Sequence, residues 1–378
     1  MLCDEVQQNT SQVTNPGEEW LDLPEGVPPL TSLYLYIAGS CNLACRHCWI
    51  TPTYQTSSNG GKFVKLEYIE KAIREAKPLG LRSVKLTGGE PTLHPRFREF
   101  VSLIHANGLD MIIETNGTLI DDSLAGILKQ NGVSFISVSL DGASADVHDN
   151  LRMVKGSYDQ AVTGIQALVQ AGFHPQMICT LHRGNISQIA EVVTLAETIG
   201  CGSVKFNHVQ NVGRGERFGE EQGLDVSTVI QLYHLVEETL KPSSHIPIYF
   251  DIPCAFFTIR KLMNDTLGSC HVRNILGILA GGELSLCGIG VTVPELIYGN
   301  IEQDNLRQVW FHAPGLAQLR ELIPAQLEGI CGQCLHRNLC HGACVANNFH
   351  VSGKLSTPYY FCDQAEALGK FPVSRKRL

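Results

Sequence analysis

From about Ser32 onward, short runs of Val, Ile and Leu alternate with stretches whose apolar residues recur every three or four positions. The runs predict strands over 33–38, 84–87, 111–114, 135–140, 176–181 and 204–208. The stretches between them predict helices over 66–80, 97–107, 124–130, 161–171 and 189–199; in the first, Ile69, Ala72, Ile73 and Ala76 share one face. Gly80, Gly108, Gly132, Gly172 and Gly200 follow these helices, where a left-handed terminal residue favours glycine. Six strand–helix units with short connections imply a parallel sheet with right-handed crossovers. A closed eight-fold barrel takes ~250 residues, whereas this repeat ends after roughly 180. The fold class is therefore α/β, a partial (β/α)6 TIM-like barrel over 31–240, with a doubly wound open sheet as the alternative. Both place chemistry at the C-terminal ends of the strands.

Outside the repeat the pattern weakens. Residues 1–30 are rich in Asn, Gln, Pro and Gly and read as a flexible arm. Beyond Gly213-Arg214-Gly215 comes a helix-like segment over 226–240 and a connector over 242–247. Residues 241–378 carry many glycines and one clear helix signal near 316–322. A loop-rich segment of this kind needs a staple, and metal sites supply one.

Composition narrows the class. Of 378 residues 44% are hydrophobic and 17% charged, which is ample for a core. The balance of 29 Lys and Arg against 37 Asp and Glu gives a net charge of -8, which argues against a nucleic-acid binder. The basic end, Ser374-Arg375-Lys376-Arg377-Leu378, reads as a solvated tail. No apolar run reaches the ~18–20 residues that a bilayer demands, and the polar start shows no signal-peptide core, so a soluble, cytoplasmic protein is expected.

The 14 cysteines are the anomaly. Without an export signal, thiols at short spacings read as metal ligands rather than disulfides. Cys41-x3-Cys45-x2-Cys48 follows the first strand. Thr87-Gly88-Gly89-Glu90-Pro91 follows the second, Thr115-Asn116-Gly117 the third, and Ser139-Leu140-Asp141-Gly142 ends the fourth. Motifs at four successive strand ends describe one continuous site. Zinc structural sites use four ligands; three thiolates leave one iron of a 4Fe–4S cube open.

The Cys41–Cys45–Cys48 spacing resembles the signature of radical S-adenosylmethionine (SAM) enzymes. In that family SAM chelates the open iron, and reductive cleavage releases a 5′-deoxyadenosyl radical. The resemblance implies that Gly88, Gly89 and Glu90 hold the SAM amino group. It places Asn116 and Ser139 at the ribose and methionine, His47 beside adenine, and Arg152 at a carboxylate. The later cysteines, Cys270 with Gly282-x4-Cys287, then Cys331-x2-Cys334-x5-Cys340-x3-Cys344 and Cys362, resemble the SPASM extension, which holds two auxiliary 4Fe–4S clusters. By that resemblance Cys331, Cys334, Cys340 and Cys362 hold one cluster. Cys270, Cys287 and Cys344 hold the other with an upstream cysteine, for which Cys254 is the late candidate; an open site for substrate is the alternative. Three clusters with one open iron need eleven thiolates, the number left when Cys3, Cys179 and Cys201 are set aside. Cys201 reads as a buried hydrophobe; Cys179 reads as core, with a hydrogen-donor role if it faces the barrel interior. His94, His182 and His208 lie near strand ends, either lining the cavity or serving as loop residues.

SPASM enzymes mostly modify ribosomally made peptides. The segment from Tyr34 to Pro52 is most similar to maturases of Nif11-type leader peptides, and within them to spliceases, which excise a tyrosine-derived tyramine unit and leave an α-keto-β-amino residue. Thioether or carbon–carbon cross-linking and epimerisation are the alternatives. The resemblance implies a precursor peptide with a leader, a small leader-recognition protein and an electron donor such as flavodoxin or ferredoxin as partners. Rival classes are a radical SAM enzyme of small molecules and a zinc-stapled, non-catalytic binding protein.

Overall fold

The computed structural model describes residues 21–57, 61–264 and 270–377. Most of the expected arm, with Cys3, and the final Leu378 lie outside the described residues. All six alternating runs form strands: β1 Ser32–Ala38, β2 Ser83–Gly88, β3 Asp110–Thr115, β4 Phe135–Ser139, β5 Gln176–Leu181 and β6 Ser203–His208. The intervening helices are α1 Leu66–Ala76, α2 Phe97–Ala106, α3 Asp122–Gln130, α4 Ala145–Arg152, α5 Ser157–Gln170, α6 Ile189–Thr198 and, after β6, α7 Arg214–Gln222. Asp121 caps α3 by accepting from the Leu124 amide at 2.7 Å.

β1 to β6 lie side by side in chain order and are parallel throughout. A doubly wound sheet reverses its strand order at a switch point; this sheet does not, which selects the partial barrel. The sheet also continues past residue 240. β7 Ile248–Phe250 joins β6, and β8 Ile275–Ile278 returns to lie parallel to β1 on the other side. β9 Glu283–Ser285 and β10 Ile297–Asn300 extend that edge antiparallel. A division at residue 240 therefore does not coincide with an edge of the sheet. No helix among the described residues is long and apolar enough to cross a membrane.

The strands are chemically two-faced. Leu33, Leu35, Val84, Leu86, Met111, Ile113, Ile136, Val138, Met177, Val204 and Phe206 pack into one core with helix residues such as Ile69, Phe100, Leu128 and Leu168. Strand alternation turns their neighbours to the opposite, inner face. There stand Tyr34, Tyr36, Lys85, Thr87, Glu114, Ser137, Ser139, Gln176, Thr180, Lys205 and Asn207. A parallel sheet covered on both sides reads as apolar runs. This polar stripe marks a face reserved for something other than core packing.

Within the strand–helix repeat and just after it, α4 and α7 escaped the periodicity for a physical reason. α4 buries His148, Leu151 and Arg152, and α7 buries Gly215 and Phe218. Each has a single large apolar residue on its inward face, Leu151 or Phe218, beside polar or small ones, so the repeated hydrophobic stripe that reveals a helix is missing.

Candidate active site at the strand ends

The Cys41–Cys48 loop begins where Ser40–Cys41 pairs with Thr53–Tyr54, closing the loop at its base. The loop has little regular structure of its own, and its amides are met by neighbouring elements. Ala44 N–H donates to the Arg152 carbonyl at 3.2 Å and Arg46 N–H to Leu151 at 2.9 Å, so the open C-terminal carbonyls of α4 hold the loop. Arg214 N–H donates to the Cys48 carbonyl at 3.0 Å. The approach is close enough that a Cβ on Gly213 would stand 2.6 Å from the Trp49 carbonyl oxygen.

The Gly-Gly-Glu segment is locked to the end of β1. Gly89 N–H donates to the Ala38 carbonyl at 2.6 Å and Glu90 N–H to Ser40 at 2.9 Å. Gly88 has φ +135°, and a Cβ on Gly89 would lie 2.0 Å from the Ser40 carbonyl oxygen; only glycine fits at either position. Glu90 is almost wholly buried and joins three strand ends. Its carboxylate accepts from Thr92 N–H at 3.1 Å, Thr115 Oγ1 at 2.7 Å and Asn116 N–H at 2.8 Å. Burial raises its pKa against the pull of these donors. Asn116 Nδ2 donates to Asn42 Oδ1 at 2.8 Å and reaches Cys41 Sγ at 3.8 Å.

Arg152 sits at the last turn of α4, its guanidinium 2.6 Å from Asp141 Oδ2 and donating to Cys45 Sγ at 3.6 Å. Asp141, fully buried just past β4, also accepts from Thr180 N–H at 2.8 Å. Burial works to raise its pKa, but Arg152 and then His47 outweigh it, and the carboxylate stays ionised. His47 Nε2 is 3.9 Å away, and burial brings its ring to about 4, leaving it neutral. In the sequence Asp141 stood only within the Ser139–Gly142 motif, without a role of its own, because a Leu-Asp-Gly step after a strand is an ordinary turn and its pairing with Arg152 and His47 spans the fold.

Cys179 is a correction to the hydrogen-donor reading. It belongs to the helix-facing core with Met177 and Leu181, and Asn185 Nδ2 lies 3.8 Å from its sulfur. Core packing is its role. His94 is buried between the Val64 carbonyl and the Arg96 amide, at 3.0 Å from each. His182 Nδ1 accepts from Gly184 N–H at 3.0 Å, and His208 meets Tyr359 at 3.3 Å. Ser139 lies on the inner face at the end of β4.

Inside the barrel, Lys85 Nζ and Glu114 Oε1 are 3.1 Å apart, Thr87 Oγ1 donates to Glu114 at 3.2 Å, and Lys85 lies 4.0 Å over the Tyr34 ring. Tyr36 touches the Trp49 ring edge-on at 6.3 Å and packs on Gly288, next to Cys287. Lys and Glu inside strand runs were the available sequence signal, since neither is buried there without a partner.

A family model for the Radical SAM superfamily matches residues 35–196. The mycofactocin maturase MftC of Mycobacterium ulcerans is 30% identical over 86% of this chain and 85% of that protein. The chain belongs to the radical SAM superfamily. The AdoMet-dependent heme synthase of Methanosarcina barkeri is 27% identical over 86% of this chain and 94% of its own length. Streptococcus suis SuiB, solved with precursor peptide SuiA, shares the fold at TM-score 0.69 and 18% identity, covering 89% of this chain and 76% of SuiB.

The radical SAM family uses a 4Fe–4S cluster and SAM, and the residues present suit both. The donor set is three thiols in one loop. Burial pushes the Cys41 and Cys45 thiols up, so binding iron must expel their protons. Among the described residues, no three His, Cys, Asp or Glu side chains converge as a single ion requires; a cube instead spreads its thiolates over separate irons. Beside the loop are buried polar atoms without a partner, Ser40 Oγ, His47 Nδ1, Arg152 Nε and Arg214 Nε. Buried orphans of this kind call for a polar ligand.

One pH effect follows from the site's packing. His148 accepts from Asp141 N–H at 3.1 Å, and burial lowers its ring pKa to about 4. Above pH ~6.5 the ring is neutral whether folded or unfolded. As pH falls from there through about 4, the unfolded chain takes a proton that the folded one refuses, costing about 1.4 kcal/mol per pH unit. Denaturant midpoints between pH 7 and 5 are expected to fall less steeply for His148→Gln than for the native chain.

Proposed function

We propose that the chain is a maturase acting on a ribosomally synthesised precursor peptide. In this reading Cys41, Cys45 and Cys48 hold the SAM-binding cluster, and the cysteines of the SPASM-type region over 241–378 hold two auxiliary clusters. The polar inner face carries the reading. Every residue of a peptide brings an amide that needs partners when it leaves water, and the buried, unpartnered side-chain oxygens of Ser137, Gln176 and Asn207 offer acceptors. The MftC relative and the SuiB fold support the same class.

The bound cluster supplies the electron that cleaves SAM. The chain's residues do the rest. Gly88 and Gly89 let the SAM amino group approach the backbone, while Glu90 and Asn116 fix the strand ends around it. Asn116 and Ser139 would hold the ribose and methionine, His47 would lie beside adenine as a neutral ring, and Arg152 would offer its guanidinium to the carboxylate. The inner face orients one peptide C–H toward the site and keeps water out. The favoured reaction is excision of a tyrosine-derived tyramine unit to leave an α-keto-β-amino residue. A cytoplasmic setting, a small leader-recognition protein and a flavodoxin or ferredoxin donor belong to the same reading.

Anaerobic co-expression with a candidate precursor peptide, followed by high-resolution mass spectrometry, tests it. A peptide shortened by a tyramine-sized fragment is the expected product. Loss of two hydrogens selects cross-linking instead, and solvent deuterium uptake selects epimerisation. The C41A/C45A/C48A variant is expected to lose SAM cleavage together with about four of about twelve irons. Intact native protein with its iron that neither cleaves SAM nor alters any peptide overturns the proposal. The heme synthase relatives favour a second reading, a heme precursor as substrate. Formation of heme from a porphyrin precursor by the same preparation selects that one.

A further inference from the structure

The cations that this fold takes out of water are mostly answered by a carboxylate. Arg152 has Asp141, Lys85 has Glu114, and Lys241 and Lys261 share Glu237. Arg214 differs. Its Nε and Nη2 are both buried and find no hydrogen-bond partner among the described residues. Arg273, Arg320 and Arg337 each leave one such nitrogen, and Arg214 alone among the described residues leaves two. The two are not an arbitrary pair. Nε–H and Nη2–H point the same way from one edge of the guanidinium, and that edge grips a carboxylate through two parallel hydrogen bonds. Arg152 cannot do the same. It spends Nη2 on Asp141 and Nη1 on the Cys45 sulfur, which leaves Nε and a charge already matched.

The backbone holds Arg214 in a fixed place. Its N–H donates to the Cys48 carbonyl at 3.0 Å, and the glycines on either side let α7 begin directly against the cysteine loop. A Cβ on Gly213 would stand 2.9 Å from Thr51 Cγ2, and one on Gly215 would lie 3.0 Å from the His47 carbonyl and overlap that of Gln210. One turn further on, Phe218 packs with Leu151 and Val209 and meets the His182 ring edge-on at 5.2 Å. Gln210 Oε1 accepts from Asn347 Nδ2 at 2.9 Å, so the region beyond 240 reaches the same spot. Arg214 therefore stands between the cysteine loop and the C-terminal region, at the β6 end of the sheet. Arg152 and the Gly88-Gly89-Glu90 segment hold the side of β2 to β4.

We propose that Arg214 is a substrate-binding residue whose Nε–Nη2 edge takes a carboxylate beside the cysteine loop, an acidic side chain or the chain terminus of the precursor peptide. The identity of the substrate rests on the maturase reading above. An unpaired guanidinium is costly to keep from water, and a carboxylate relieves that cost where a neutral amide of the same shape does not. The edge thus selects for charge as well as for shape. It also fixes the peptide at one point beside the loop, which sets the part of the chain that reaches the inner face.

The test uses the full chain, reconstituted anaerobically, kept oxidised so that SAM is not cleaved, and saturated with SAM. The probes are N-acetylglycine and its neutral counterpart N-acetylglycinamide, read by saturation-transfer NMR. The carboxylate is expected to bind at least about tenfold more tightly than the amide. Arg214→Met is expected to abolish that preference, and Arg214→Lys, which keeps the charge without the paired donors, to lose most of it. The urea midpoint of Arg214→Met is expected at or above the native one, since an unpaired buried charge is gone. Equal binding of both probes to native protein overturns the proposal, as does a preference that survives in Arg214→Met. A preference seen only when SAM is left out overturns it too, by giving the edge to the carboxylate of SAM itself. A methionine variant that is less stable than native protein, or unfolded, makes Arg214 a strut of the fold and has the same force. An intact preference with a precursor peptide that is never altered counts instead against the maturase reading, so the two failures are distinct.

Discussion

Asp141→Asn is expected to destabilise the chain by about 3–5 kcal/mol, because it leaves a buried guanidinium without its counter-charge. Asp141 is fully buried and Arg152 nearly so, with 2.6 Å between them. Arg152 holds the Cys45 sulfur at 3.6 Å, and its backbone carbonyl accepts from the cysteine loop. The damage therefore extends from stability to the site, and SAM affinity is expected to fall at least tenfold. Chemical denaturation and equilibrium SAM binding measure the two separately. In Asp141→Asn/Arg152→Met the stranded charge is gone, so much of the stability is expected to return. SAM affinity stays low in that double variant, since the guanidinium is absent. A double variant that restores both would show that Arg152 matters only to folding.

Gly89→Ala is expected to abolish SAM binding, with a drop of more than a hundredfold, while costing about 1–3 kcal/mol in stability. The added Cβ would meet the Ser40 carbonyl oxygen at 2.0 Å, and backbone there cannot rotate aside. Relief requires separating the segment from β1, which breaks the hydrogen bonds from Gly89 N–H and Glu90 N–H. Glu90 then leaves Thr115 and Asn116, and the strand ends it ties together drift apart. Gly126→Ala is the matched control. It lies in α3 with nothing within 4 Å of an added Cβ. That change is expected to stabilise the helix by roughly 0.5–1 kcal/mol and leave SAM binding unchanged. Calorimetric titration with SAM and thermal melts on the three proteins decide it.

The strand–helix repeat was legible because each outer strand face and each helix stripe obeys its own period. Leu33, Leu35 and Ile37 alternate, and Ile69, Ala72, Ile73 and Ala76 recur at helical spacing. The cysteine loop and Gly88-Gly89-Glu90 were legible for another reason. Their chemistry is local, with ligands and glycines set by spacing within a few residues.

What stayed hidden depends on residues far apart in the chain. Arg152 meets Cys45 across 107 positions, and Thr180 meets Asp141 across 39. α4 conceals its buried face behind His148 and Arg152, which no hydrophobic count registers. Cys179 could be placed in a strand from its neighbours, but the pleat alone decides which side of the sheet its sulfur takes.

By itself the sequence determined the parallel α/β repeat, the three-thiol loop and the family to which both belong, since each is written in short-range periodicity and spacing. Tertiary structure alone decided that the strands stay in chain order, that residues beyond 240 supply both edges of the sheet, and that Cys254 lines one pocket with Cys331, Cys334, Cys340 and Cys362. Those outcomes depend on how the chain returns across the sheet. Many loop paths share one composition, and only packing of the whole molecule selects among them.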